Sequence, residues 1–232
     1  MWNIRKHFGD SEKRKIFAGI LDESTLMTLY KLSTKGYFDL IHGPIKQGKE
    51  STILLAELKG KKIAVKVYAI EAGNFKKMSP YIANDPRFSG IKKDKRSLIF
   101  TWCQKEFKNL ERARIAGISC PEPIAFSNNV LIMSFLGDDE PYPRLKETKI
   151  KTKEVFDIIM EDVKKLFKGA KLVHGDLSEF NILLGDKPYL IDFSQSVLTS
   201  HPNAKIFLER DIKNICKYFK EDYQKAYDEV VK

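Results

Sequence analysis

The sequence predicts an α+β fold in two lobes, and three features of the chain carry that prediction. Two apolar, β-branched runs over 52–58 and 63–68 flank Lys59-Gly60-Lys61-Lys62 and read as a β-hairpin. Helical periodicity over 152–169 and 203–229 dominates the second half. Between those helices lies a segment, 174–197, that holds Asp176, Asn181 and Asp192. The expected organisation is an N-terminal helical extension over 1–40, a β-rich lobe over 41–133, a hinge over 134–137 and a reduced α-rich lobe over 138–232, with the ligand site in the cleft between the lobes.

Each element has its own signal. Residues 11–35 are expected to be helical, with Asp22 or Ser24 as cap, Leu26, Leu29, Tyr30 and Leu32 on one side, and an end near Gly36. Gly43-Pro44-Ile45-Lys46-Gln47-Gly48-Lys49-Glu50 is a near miss to a P-loop. Glu50 replaces the magnesium-binding Ser or Thr, and Ser51, Thr52 and Ile53 begin a β run where a P-loop opens a helix. The glycines are therefore expected in a flap between strands, with backbone amides near Gly48 placed to contact phosphate. Residues 84–97 read as an exposed, mobile loop beside the cleft whose Arg87, Lys92, Lys93, Lys95 and Arg96 meet RNA or a ribosomal partner. A helix is expected over 98–117, closed by Gly117 and stopped by Pro121 and Pro123, then a short buried strand over 130–133.

With 232 residues and 43% hydrophobic content, the chain can bury a core without disulfides or structural metals. Three widely spaced cysteines, Cys103, Cys120 and Cys216, fit neither a disulfide framework nor a zinc pattern, which implies a reducing compartment. No apolar run of about eighteen residues is present, and the N-terminus lacks the apolar core of a signal peptide, so a cytoplasmic protein off the membrane is expected. The formal charge of +10 suits polyanions such as RNA or a nucleotide, although lysine-rich solvated surfaces are also common in proteins that touch neither.

The most informative stretch is Val173-His174-Gly175-Asp176-Leu177-Ser178-Glu179-Phe180-Asn181, followed by a hairpin of 182–184 and 189–192 around Gly185-Asp186-Lys187-Pro188. His-x-Asp with Asn five residues beyond the Asp matches the kinase catalytic-loop pattern. A hairpin symmetric about its turn sets Asn181 opposite Asp192, where both can hold one magnesium ion, and leaves Asp176 facing an attacking hydroxyl or water. Singly these residues are ordinary loop caps; together at this spacing they are not.

Two buried charges reinforce the pattern. Lys66 sits inside the apolar run Ile63-Ala64-Val65-Lys66-Val67-Tyr68, and Glu106 sits on the stripe Ile99, Trp102, Cys103, Glu106, Leu110, Ala113 that should face a core. Each charge is expected to find the other, in the strand-Lys to helix-Glu pair that positions ATP phosphates in kinases. The run into Ser134-Phe135-Leu136-Gly137 is the expected hinge, where adenine would meet the backbone of Ser134 and Leu136 with Met133 packed behind it.

With these residues in view, the sequence resembles, over nearly its full length, the RIO family of atypical protein kinases, in the Rio-one branch and its short archaeal-like form. The carriers are Gly48-Lys49-Glu50, Ala64-Val65-Lys66-Val67-Tyr68, Asp85-Pro86-Arg87-Phe88, Lys105-Glu106-Phe107-Lys108-Asn109-Leu110, the 173–181 loop and Ile191-Asp192-Phe193-Ser194-Gln195-Ser196-Val197. The resemblance implies a bilobal protein-kinase-like fold, Mg-ATP use with Mn2+ as an alternative metal, serine autophosphorylation, ATPase activity, and a part in small ribosomal subunit maturation with the precursor and its RNA as partner. It also implies Asp176 as catalytic base, Lys66 on the phosphates, Asn181 and Asp192 on the metal, and Asp192 itself as a residue that can be phosphorylated. Lys46-Gln47 stands where this branch often has Ser-Thr, so hydroxyl contacts from that part of the flap are not implied.

About forty residues follow Asp192, with no Ala-Pro-Glu among them, which is short for the peptide-docking lobe of ordinary protein kinases. Two rival readings share part of the pattern. A small-molecule phosphotransferase of the aminoglycoside or choline kinase type has the same His-Gly-Asp and downstream Asn, and a basic RNA-binding assembly factor could retain a vestigial nucleotide site.

Overall fold

Alternation along Ser51–Leu58, with Thr52, Leu54 and Ala56 turned inward, makes this segment a half-buried strand, whereas Lys61–Tyr68 is buried on both faces from Ile63 onward. The computed structural model describes residues 21–70, 78, 80–82, 84–88 and 94–232. The expected N-terminal extension and the 11–35 helix thus fall partly outside the described residues, as do Lys92 and Lys93.

The chain forms two units. The first comprises Met1–Lys76, Gly90–Phe107 and Pro123–Phe135. It holds five antiparallel strands, β1 (Leu40–Gln47), β2 (Ser51–Leu58), β3 (Lys61–Tyr68), β4 (Pro123–Ser127) and β5 (Val130–Ser134), in the order β1-β2-β3-β5-β4. Lys59 at φ 50 and Gly60 at φ 78 make the β2–β3 connection a two-residue turn with both residues left-handed, the twist that antiparallel arms prefer. Helix α1 (Glu23–Thr34) starts at Asp22, whose carboxylate accepts from Thr25 N at 3.0 Å, and gives way at Gly36, φ 80. Leu29 and Leu32 pack with Phe38, Ile41, Leu54, Val65, Val67 and Ile132 to form the core. Asn128 and Asn129 at the β4–β5 turn donate to Thr28 Oγ1 and Thr25 Oγ1, at 2.9 and 2.8 Å, and fasten α1 to the sheet.

Helix α2 (Lys95–Ile115) begins three residues earlier than the sequence pattern suggests, because Asp94 accepts from Ser97 N at 3.0 Å and caps it. The expected loop over 84–97 is corrected accordingly. Pro86–Phe88 forms a 3-10 turn, Arg87 is held by Asp85 at 2.6 Å, Lys95 and Arg96 are helical, and Arg96 donates to Ser24 at 2.7 Å. The helix closes on Gly117, φ 78, with Ile118 N reaching back to Ala113 O at 3.1 Å.

The second unit comprises Lys77–Ser89, Lys108–Glu122 and Leu136–Lys232. Among the described residues it holds the end of α2 and the helices α3 (Leu145–Thr148), α4 (Lys153–Lys168), α5 (Ala204–Phe219) and α6 (Tyr223–Val231). Phe156, Ile159, Val163 and Leu166 of α4 follow helical spacing and are buried, as are Leu208, Ile212, Ile215 and Phe219 of α5. The single helix expected over 203–229 is two: Lys220 turns left-handed at φ 63, and Asp222 accepts from Lys225 N at 2.6 Å to start α6. Two short ladders complete this unit, β6 (Leu172–Val173) with β9 (Val197–Leu198), and β7 (Ile182–Leu184) with β8 (Pro188–Leu190). Cys103, Cys120 and Cys216 are free and buried. Among the described residues no helix is long and apolar enough to cross a membrane.

Candidate active site

In the β-rich unit, Lys66 lies on the central strand β3, paired in register with Ile53 on one side and Leu131 on the other. Its ammonium meets the Glu106 carboxylate at 2.9 Å, and the two residues are 4% and 1% exposed. The expected pair is thus present and shielded from water, where an ion pair needs further hydrogen bonds to offset desolvation. Tyr68 supplies one, its hydroxyl donating to Glu106 Oε2, and its ring lies 5.0 Å from Lys66 Nζ. One turn earlier on α2, burial pushes the Cys103 thiol pKa far up, while the nearby Lys66 charge pulls it the other way.

Only Gly48, Lys49 and Glu50 form the exposed turn between β1 and β2; residues 43–47 of the expected flap belong to strand β1, and the segment is not the mouth of a helix. Gly48 N donates to Ser51 O at 2.9 Å, and Glu50 O accepts from Ala69 N at 3.0 Å. Met133 is buried on β5 opposite Ala64, and Ser134 ends that strand opposite Ile63. In the helical unit, Leu136 accepts Tyr142 N on its carbonyl at 3.0 Å.

The helical unit carries the loop chemistry. Gly175 adopts φ +81, and a Cβ there would stand 2.8 Å from the carbonyl oxygen of Gln195, so glycine is required between His174 and Asp176. His174 is buried, its Nε2 3.1 Å from Ile191 O. Asn181 Nδ2 donates to Asp176 O at 2.8 Å and to Asp176 Oδ2 at 3.1 Å, which brings two of the expected residues into direct contact. With its nitrogen committed there, the amide oxygen of Asn181 is the atom suited to a cation.

The hairpin register differs from the symmetric one. Its turn has three residues, with Leu184 opposite Pro188, so Asn181 faces Ile191 and not Asp192; Ile191 N donates to Asn181 O at 3.0 Å. A one-residue offset would put Asp192 on the opposite face of a strand. Instead Asp192 leaves the ladder at φ 65, ψ 70 and accepts from Ser194 Oγ at 2.7 Å. A carboxylate and an amide oxygen form a hard-donor set of the kind magnesium takes.

Residues outside the expected set hold this loop. Asp211 on α5 accepts from Gly175 N at 2.7 Å and Leu177 N at 3.0 Å, and Arg210 donates to Gly175 O. Burial pushes the Asp211 pKa up to about 7, against the pull of those amides and of Arg210. Asn109 on α2 donates to Phe193 O at 3.0 Å and Ser196 O at 2.9 Å, and Gln195 Nε2 donates to Asp176 Oδ2 at 3.0 Å. Asp211 had a readable signal, a carboxylate on the apolar stripe of Leu208, Ile212 and Ile215, the same anomaly that marks Glu106.

A family model described as the RIO domain matches residues 52–231. The chain belongs to the RIO family. It is 39% identical over 222 residues to the RIO-type serine/threonine-protein kinase Rio1 of Haloferax volcanii, covering 94% of this chain and 76% of that one. To the Rio1 kinase of Methanocaldococcus jannaschii it is 44% identical over 205 residues, covering 87% and 70%. The human serine/threonine-protein kinase RIO1 is 38% identical over 218 residues, which span 90% of this chain and 38% of the human one. Among solved structures, the Rio2 kinase from Chaetomium thermophilum in an ADP/Mg2+-phosphoaspartate complex superposes with a TM-score of 0.66 at 21% identity, covering 94% and 74%. That likeness shows the fold, bilobal and kinase-like. With its Rio1 relatives, this RIO protein is an atypical serine/threonine kinase, and the small-molecule phosphotransferase reading is not favoured.

Proposed function

We propose that this RIO kinase binds Mg-ATP, with Lys66 on the phosphates under the control of Glu106, and Asp176 orienting and deprotonating the attacking hydroxyl or water. Asn181 and Asp192 would hold the magnesium, which neutralises charge on the phosphates when bound. The observation that carries the reading is the contact of Asn181 with Asp176 on a loop whose backbone Asp211 fixes, for it preorganises the Asp176 carboxylate beside one of the two proposed metal ligands. The buried Lys66–Glu106 pair supports it. Adenine would lie against Met133, Ser134 and Leu136 in a hinge over 134–137, and the flap amides of Gly48, Lys49 and Glu50 would cover the phosphates.

The Chaetomium Rio2 structure contains ADP, Mg2+ and a phosphoaspartate, which supports ATP and magnesium here and favours Asp192 as a transient phosphoryl acceptor. Nothing in the relatives speaks for manganese. We place the protein in the cytoplasm, on its three free thiols. Its role would be in maturation of the small ribosomal subunit, where a charge of +10 suits a precursor particle and its RNA.

Incubation with Mg2+ and γ-labelled ATP tests the reading. Wild type should turn over ATP and become labelled; Asp176→Ala should keep Mg-ADP binding and lose roughly 10²- to 10⁴-fold in turnover. Label at Asp192 should be released by hydroxylamine and be missing in Asp192→Asn. Hydroxylamine-resistant label confined to serine would leave Asp192 as a metal ligand. No turnover in wild type would point to the assembly factor with a vestigial site.

A further inference from the structure

Gln195 reaches the loop from the 3-10 turn Phe193–Gln195 that follows Asp192. Its Nε2 lies 3.0 Å from Asp176 Oδ2, the same oxygen that accepts Asn181 Nδ2 at 3.1 Å. Two amide donors, one just before β7 and one after β8, therefore converge on one carboxylate oxygen. A carboxylate on two rotatable bonds can still swing about a single hydrogen bond, and a second donor removes that freedom.

The anchor of Gln195 is itself fixed. Asn109 holds the carbonyls of Phe193 and Ser196 on either side of it, and Ser196 N donates to Phe193 O at 3.2 Å. The missing Cβ of Gly175 lets the main chains of residues 175 and 195 approach closely, which sets the reach of the Gln195 side chain. Glutamine suits the task because it donates without carrying a charge. A lysine or arginine at this position would pair with Asp176 and weaken it as an acceptor of the substrate proton.

We propose that Gln195 is a positioning residue for Asp176, locking its carboxylate in the reactive orientation and tying it to the turn that carries Asp192. This rests on the reading of Asp176 as the base. Gln195 thus acts only through Asp176.

The test is a double-mutant cycle on the full chain with Mg2+ and labelled ATP. Gln195→Met keeps the length of the side chain and removes the donor. It should lower kcat about tenfold, within the range that mispositioning of a catalytic group costs, and leave the KM for ATP and the melting temperature unchanged. Gln195→Glu, which sets a second carboxylate against Asp176, should lower kcat further. In an Asp176→Asn background, Gln195→Met should change turnover less than about twofold, since the group it positions is gone. Wild-type kcat in Gln195→Met, or the same tenfold loss in both backgrounds, would overturn the proposal. A drop in melting temperature with equal losses in both backgrounds would mark a structural role and overturn it as well. Asp176→Asn with undiminished turnover would instead show that the base assignment fails, and the proposal with it.

Discussion

Lys66 and Glu106 form a buried ion pair whose part in stability can be separated from its proposed part in phosphate binding. Removing only the carboxylate leaves an ammonium inside an apolar strand, at a cost of about 3–5 kcal/mol. Glu106→Ala should therefore lower the calorimetric midpoint by roughly 10 °C in a chain of this size. Replacing both partners, Lys66→Met with Glu106→Leu, should restore much of that stability while turnover stays lost. A double variant that recovers turnover would make the pair purely structural. The pair was legible in the sequence because each charge breaks a periodic apolar pattern. Gln195 and Asn109 stand in segments that carry the family resemblance, but their contacts were not legible, since neither breaks a pattern. Their partners lie 19 residues away for Gln195 and 84 and 87 residues away for Asn109, contacts that only the folded chain creates.

Among the elements, apolar period and turn residues were enough to place β2, β3, β5, α2 and α4 within a few residues of their ends. Strands β1, β4, β6 and β9 were not predicted, and two finer details escaped as well. Gly185-Asp186-Lys187-Pro188 admits a three- or a four-residue turn, and the choice shifts every pairing in the β7–β8 hairpin by one; the fold takes the three-residue form. The apolar stripe of α5 continues in α6, so the break between them rests on Lys220 at φ 63 and the Asp222 cap. A left-handed lysine is strained where glycine is not. Lys220→Gly should accordingly raise stability by about 0.5–1 kcal/mol after its extra unfolded-state entropy is counted, visible as a higher urea midpoint with an unchanged slope. A lower midpoint would mean that the lysine side chain contributes more than its backbone costs.

For the molecule as a whole, buried carboxylates set a pH dependence. Burial raises the pKa of Asp211 to about 7 and moves that of Asp162 in the same direction. Between about pH 4 and pH 7 the folded chain keeps the Asp211 proton that the unfolded chain has released. The unfolded state then binds fewer protons, so stability declines as pH rises through this window and levels off above it. Urea titrations at pH 5, 6, 7 and 8 should show that decline, and Asp211→Asn should flatten it. The three thiols offer a different kind of access to the same molecule. Burial pushes the Cys120 pKa to about 12 and that of Cys216 to about 11, and the Cys103 thiol higher still, so little reactive thiolate exists while the chain is closed. Each thiol becomes a stopwatch for local opening, Cys103 for the sheet-bearing unit and Cys120 and Cys216 for the helical one. Mass spectrometry after timed alkylation would read three clocks from one unaltered chain, and added Mg-ATP would reveal which of them it slows.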